Sequence, residues 1–187
     1  RQALEAFEGS ALKKNAANTV FADGVAESRI MIVGEAPGRD EDRIGKPFVG
    51  RAGQLLDKML ASIGLDRCRN CYITNVLNWR PPGNRDPAPE EAAISLPFLR
   101  RHIDLVDPGL ILLLGAVAAR HVMGASEGIT KIRGRWLSYR VGSRMVPVLA
   151  TLHPAYLLRQ PAHKQLAWRD LQAVAAKLEE LGLLAKG

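Results

Sequence analysis

Hydrophobic residues gather in four short, nearly unbroken blocks, Ile30–Val33, Cys71–Val76, Leu110–Leu114 and Val146–Thr151. Blocks of this length without polar alternation predict strands covered on both faces, as in a mostly parallel sheet. Between them apolar positions recur at helical spacing over Gly53–Ile63, Pro89–Leu105 and Ala116–Met123. A first helix is predicted over Gln2–Lys13 and a last one over His163–Leu181. Strands alternating with helices predict a three-layer α/β/α sandwich around a central four-stranded sheet, all in one domain spanning residues 1–187.

In such sheets ligands bind beyond the carboxyl ends of the strands, so the residues that follow each block carry the functional information. The first block runs into GEAPG (Gly34–Gly38), the second ends near Asn75 and leads to NWRPPGNRDP (Asn78–Pro87), and the fourth runs into HPAYLLR (His153–Arg159). The GEAPG loop is followed by acids, Asp40, Glu41 and Asp42, where a nucleotide-phosphate loop would avoid negative charge. Neither GxxxxGK[ST] nor GxGxxG is present, which argues against nucleotide hydrolysis, and the absence of a GxSxG elbow argues against an α/β hydrolase.

Charge adds a partner class. Lys and Arg number 26 against 19 acids, a formal +7, which suits a protein that meets phosphate backbones but also a merely basic one. The longest apolar run, near Leu110–Val117, falls far short of the roughly 20 residues that span a bilayer. No leader is read at the start, so a cytoplasmic location and no membrane role are expected.

Four segments together carry a family resemblance: GEAPGRDEDRIGKPFVGRAGQLLDKML, YITNVLNWRPPGNRDPAPEE, LLLLGAVAAR and HPAYLLR. In this order they resemble the successive signatures of family 4 uracil-DNA glycosylases and cover most of the chain. The resemblance implies a uracil-DNA glycosylase-like fold and hydrolysis of the N-glycosidic bond of a flipped-out uracil during base excision repair, releasing free uracil.

The family's four-cysteine [4Fe–4S] cluster is not expected here. The ligand positions fall on Phe7, Ser10, Trp79 and Ser95, none of which supplies a thiolate. Cys68 and Cys71 lie elsewhere and have no second pair, so ordinary reduced thiols are expected, with no metal and no cofactor.

Site roles follow from the resemblance. Phe48 of PFVG is expected to stack under the base, against the alternative of a simple core Phe. Asn75 is expected to read the Watson–Crick edge, accepting from uracil N3–H and donating to O4, against the alternative of a loop-capping amide. Gly34, Ala36 and Gly38 line the base pocket. In the better-known family 1 enzymes the comparable loop is GQDPYH; aligning it places Ala36 at the aspartate and Gly38 at the tyrosine that excludes thymine, so a broader range of deaminated bases is left open. His153 is expected to donate to uracil O2 as charge develops on the leaving base.

The water-activating carboxylate is sought among Glu41, Glu35 and Asp42, in that order. DNA contacts are expected from Ala155, Leu157 or Leu158 as a wedge, and Arg159, with Arg80, Arg85, Arg133 and Arg135 as phosphate candidates. The family commonly has HPS where this chain has Ala155. The competing reading is a catalytically silent binder of uracil-containing or abasic DNA. Action as a monomer is expected from the resemblance.

Overall fold

A computed structural model describes residues 1–184. Helices α1 (Gln2–Ala6) and α2 (Ala11–Asn15) precede a two-residue strand, β1 (Asp23–Gly24). Then come β2 (Ile30–Gly34), α3 (Arg39–Ile44), α4 (Arg51–Ala61), β3 (Tyr72–Asn75), α5 (Pro89–Val106), β4 (Leu110–Leu114), α6 (Ala116–Met123) and α7 (Ile129–Ile132). The chain continues through β5 (Trp136–Val141), β6 (Arg144–Thr151), α8 (Pro154–Arg159) and α9 (Lys164–Glu180).

The sheet has six strands in the order β1-β3-β2-β4-β6-β5. The four predicted strands form its parallel centre, while β1 and β5 pair antiparallel along the two edges. The expectation of four strands is thereby corrected. The two additions escape the sequence pattern because β1 is only Asp-Gly, and most of WLSYRV in β5 stays partly exposed rather than forming an apolar block.

Alternate residues of the central strands enter opposite cores, which makes the sandwich three-layered. Ile30, Ile32, Leu110, Leu112 and Leu149 pack with Leu56 and Leu60 of α4, Leu157 of α8 and Leu171 and Val174 of α9. Met31, Val33, Ile111, Leu113 and Val148 pack with Leu99 and Ile103 of α5, Ala118 and Ala119 of α6 and Ile132 of α7.

The single first helix expected over Gln2–Lys13 is two helices. Phe7 is extended at the end of α1, and Lys13 Nζ reaches back to the Phe7 carbonyl at 2.9 Å, satisfying an acceptor that a continuous helix would have used. The HPAYLLR segment is helical from Pro154 onward, with proline at the first helical position where its missing N–H costs nothing.

The parallel strands all end on one side of the molecule. Gly34 of β2 stands opposite Asn75 of β3 in register. Pairing persists beyond those ends, with Val76 N–H donating to Gly34 O at 2.9 Å and Leu77 N–H to Glu35 O at 3.0 Å, so the backbone of Glu35 is fixed by the sheet. The Gly115 N–H donates to Thr151 O at 2.9 Å and ties β4 to the strand that delivers His153.

Candidate active site

A cleft of about 700 Å³ opens at these strand ends, where the chain leaves β2 for one neighbour, β3, and later returns on its other side as β4. Glu35, Ala36, Gly38, Phe48, Asn75, His153 and Arg159 all line it, although they come from three separate stretches of sequence.

Asn75 is a buried polar group of the cleft lining. Its side chain is 3% exposed and its Oδ1 has no hydrogen-bond partner among the described residues. A buried acceptor without a partner is costly in a packed protein, and its place in an open cleft gives it somewhere to be satisfied by a ligand donor.

Phe48 lies beside it, buried at 6% exposure, with its ring centroid 5.6 Å from that of His153. Its backbone occupies the left-handed region (φ 53°), rare for a residue with a side chain. Gly34 makes this arrangement possible: a Cβ there would stand 2.4 Å from Phe48 Cζ and 2.5 Å from Asn75 Oδ1.

His153 caps α8, its Nδ1 accepting from the Ala155 N–H at 3.0 Å. In the neutral ring the proton therefore sits on Nε2, leaving a donor free for the cleft. Burial, reinforced by the Arg159 charge, lowers the His153 pKa to about 4, so the ring is neutral across the physiological range.

The three candidate acids are held differently. Asp42 is turned away from the cleft: its Oδ1 accepts from the amides of Ala17 and Asn18 at 2.9 and 3.1 Å and anchors the N-terminal segment. Glu41 lines the cleft, but both its oxygens are engaged, Oε2 with Gly38 N–H (3.1 Å) and Oε1 with Val49 and Gly50 N–H (2.9 and 2.8 Å). Glu35 has no side-chain hydrogen bond among the described residues. Burial, followed by the repulsion of Asp86, raises its pKa above the ordinary value, with Arg120 and Arg159 opposing. Asp86, a further cleft-lining acid, lies within the NWRPPGNRDP segment, which gave this residue no role of its own.

The basic candidates also divide. Arg159 and Arg80 line the cleft, Arg80 aimed by a 2.7 Å bond from its Nε to Asn84 Oδ1. Arg85 lines it too, paired with Glu91 through both terminal nitrogens (2.8 and 2.6 Å). Arg133 does not line it: it forks onto buried Asp170 at 3.0 and 2.6 Å and donates to Leu166 O, fastening α9. Arg135 is an exposed partner of Glu127. Arg39 and Arg51 do line the cleft and were not singled out by sequence; their places flanking GEAPG and PFVG were the available signal.

Of the two wedge candidates, Leu157 is 1% exposed within the core and cannot reach DNA without vacating it, whereas Leu158 is 37% exposed. Ala155 remains at the cleft, its amide committed to His153.

The four positions where the family resemblance would put cluster thiolates do not suit an iron–sulfur group. Trp79 is fully buried with Leu4, Leu12 and Leu77, and its indole N–H donates to Thr19 Oγ1 at 2.9 Å. Phe7 packs edge-on against Phe98 with ring centroids 5.0 Å apart, and Ser10 and Ser95 are buried hydroxyls. Phenyl, indole and hydroxyl groups offer iron no thiolate, and among the described residues no group of three His, Cys, Asp or Glu could hold a metal. Cys68 and Cys71 are free thiols, the buried Cys71 with its pKa pushed up to about 12 by burial.

Comparison with known proteins identifies the family. The model for the uracil DNA glycosylase superfamily matches residues 21–172. The type-4 uracil-DNA glycosylase of Thermotoga maritima is 39% identical over 174 residues, covering 91% of this chain and 88% of that protein. The type-4 enzyme of Archaeoglobus fulgidus is 44% identical over 154 residues, covering 80% of this chain and 77% of its own. A DNA polymerase of Bacillus phage SP01 is 32% identical over 156 residues, which make up 16% of that protein. The matched span runs from before β1 into α9 and contains every cleft-lining residue discussed above, and the chain belongs to the uracil DNA glycosylase superfamily.

Proposed function

We propose that this cleft receives a uracil flipped out of DNA and hydrolyses its N-glycosidic bond, as a monofunctional glycosylase of base excision repair. The observation that carries this reading is the unpartnered, buried Oδ1 of Asn75 beside the Phe48 ring and the free Nε2 of His153.

Uracil carries a proton on N3, which Asn75 Oδ1 accepts, while the amide NH2 donates to O4; cytosine presents the opposite pattern at both atoms. Phe48 supplies a stacking face, worth about 1–3 kcal/mol per base. His153 Nε2–H meets O2. As the C1′–N1 bond breaks, negative charge moves onto the ring, and a neutral donor in a dry pocket stabilises it without a competing change of protonation.

Glu35 is the carboxylate best suited to orient and deprotonate the attacking water. Its oxygens are free, whereas those of Glu41 are spent on the amides of Gly38, Val49 and Gly50. Water oxygen bonds to C1′, its proton passes to Glu35, and the uracil anion departs to be protonated in solvent. No lysine lines the cleft among the described residues, which supports hydrolysis that leaves the strand intact over imine-forming strand cleavage.

Arg159, Arg80, Arg39 and Arg51 at the cleft suit the flanking phosphates, and exposed Leu158 suits the vacated stack. Neither Ala36 nor Gly38 puts a bulky group into the pocket, which supports acceptance of further deaminated bases. No described helix is long and apolar enough to cross a membrane.

The test is an end-labelled duplex with one uracil, incubated with chelator and developed with and without hot alkali. Cleavage that requires alkali is expected. Glu35→Gln should lower the single-turnover rate by about 10²–10⁴-fold, the usual contribution of a general base, with abasic-site binding retained. An intact strand from wild-type protein that still binds would sink the proposal and leave a silent DNA reader.

A further inference from the structure

The left-handed backbone of Phe48 needs something to hold it, because a residue with a side chain gains by relaxing to an extended or right-handed conformation. The groups that hold it are two charged side chains acting from opposite directions. From the cleft side, the Glu41 carboxylate accepts from the amides of Val49 and Gly50. From the far side, Arg67 Nη1 donates to Pro47 O at 2.9 Å and Nη2 donates to Phe48 O at 2.6 Å.

Arg67 lies in the connection before β3, does not line the cleft, and its side chain is only 13% exposed. It is aimed by two acids: Nε donates to Asp57 Oδ1 of α4 at 2.9 Å and Nη1 to Asp23 Oδ2 of β1 at 3.2 Å. The guanidinium fork is thus spent on two carboxylates and two consecutive carbonyls, a geometry that an ammonium cannot reproduce. Gly53 completes the seat, since a Cβ there would fall 1.9 Å from Phe48 O.

We infer that Arg67 is a positioning residue for the base-stacking ring. It grips the Pro47 and Phe48 carbonyls and so keeps Phe48 in the conformation that lays its ring against Gly34 and beside Asn75. The edge strand β1, too short to matter to the core, gains a role in this arrangement: it presents Asp23 to the guanidinium. The inference rests on the glycosylase reading for its effect on rate, though not for its effect on the loop.

The experiment is a double-mutant cycle between Arg67→Met and Phe48→Ala, read by single-turnover uracil release, affinity for an abasic-site duplex, and amide hydrogen exchange. In the wild-type background Arg67→Met should cost about ten-fold or more in rate, as expected when a base loses its stacking ring. Abasic-site affinity should change by less than about two-fold, since no base is there to stack. In the Phe48→Ala background the same substitution should cost less than about two-fold, because the ring it positions is already gone. Arg67→Lys should fall between, and exchange at Val49 and Gly50 should accelerate in Arg67→Met while β2 is unchanged.

Additive losses in the cycle, or abasic-site affinity falling in step with rate, would overturn the inference. If Arg67→Met does not fold, Asp57→Asn removes one of the aiming acids and enters the same cycle, with the same expectations in weaker form. A wild-type protein that binds but does not cleave sinks the glycosylase reading alone; unchanged exchange at Val49 and Gly50 sinks the role of Arg67 alone.

Discussion

Two buried side-chain atoms lack a hydrogen-bond partner among the described residues, Asn75 Oδ1 and Ser95 Oγ, and they sit in regions of opposite character. Asn75 stands at the end of a central strand and opens onto the cleft. Ser95 lies within α5, 1% exposed, in the part of the molecule where the family resemblance would place a cluster thiolate. Both atoms are buried and each is a cost where it stands, but Asn75 belongs to the lining of a cleft that a ligand can enter, whereas Ser95 does not. The same local defect thus coincides with a proposed base-reading group in one place and, by the family resemblance, with an expected cluster position in the other.

The largest effect is expected at Asn75. Asn75→Ala should lower the single-turnover rate on uracil by about 10³-fold, at the upper end of what loss of one recognition group costs, with the fold intact. Circular dichroism and uracil release measured on the same preparation check both halves. An active Asn75→Ala protein would remove the reason for treating the orphan acceptor as a base reader.

On the other side, Trp79→Ala should cost about 3–5 kcal/mol of stability, the usual penalty for emptying a large aromatic from a core, with little loss of activity per folded molecule. Urea unfolding alongside active-site titration separates the two effects. A stability unchanged by the truncation would show that Leu4, Leu12 and Leu77 do not depend on the indole to fill that region.

Acid should weaken the fold through two histidines, one in each layer of function. Burial lowers the pKa of both His102 and His153 to about 4, while the unfolded chain holds them near 6.5. Between those values the unfolded state binds more protons, so stability is full above about pH 6.5 and is lost as pH falls toward 4. His102 stacks on Phe21 and shares a 2.9 Å hydrogen bond with Tyr72 OH, outside the cleft. His102→Gln should therefore flatten the pH dependence of the thermal midpoint over that range without the rate loss expected of His153→Ala.

The smallest effect is expected at Ser95. Ser95→Ala removes an enclosed orphan hydroxyl and should raise stability by about 1 kcal/mol, which for a chain of this size is about 2–4 °C in the thermal midpoint. Activity should not change. A loss of stability would mean that the hydroxyl has a partner that the packing does not display.

The acids show where a reading of motifs stops. GEAPGRDED places Glu35, Asp40, Glu41 and Asp42 within eight residues, and the family resemblance ranks Glu41 ahead of Glu35. Hydrogen bonds favour the opposite order: Glu41 is enclosed by three amides from two loops, Asp42 by two amides from the N-terminal segment, and Glu35 by none. Whether a carboxylate is a brace or a base depends on which backbone N–H groups approach it, and those belong to residues as distant as Ala17 and Gly50. Arg133 and Leu157 teach the same lesson, one forked onto Asp170 and the other set in the core.

By itself the sequence determined the parallel centre of the sheet and the family, and it offered Phe48, Asn75 and His153 as candidates at the strand ends, because apolar blocks and contiguous motifs are local properties of a chain. The tertiary structure alone decided the two edge strands, which acid is free, which arginines face the cleft, and how Phe48 is held between Glu41 and Arg67. Each of these is a matter of pairing between distant residues, and a carboxylate or guanidinium carries in its own identity no record of the partner that will neutralise it.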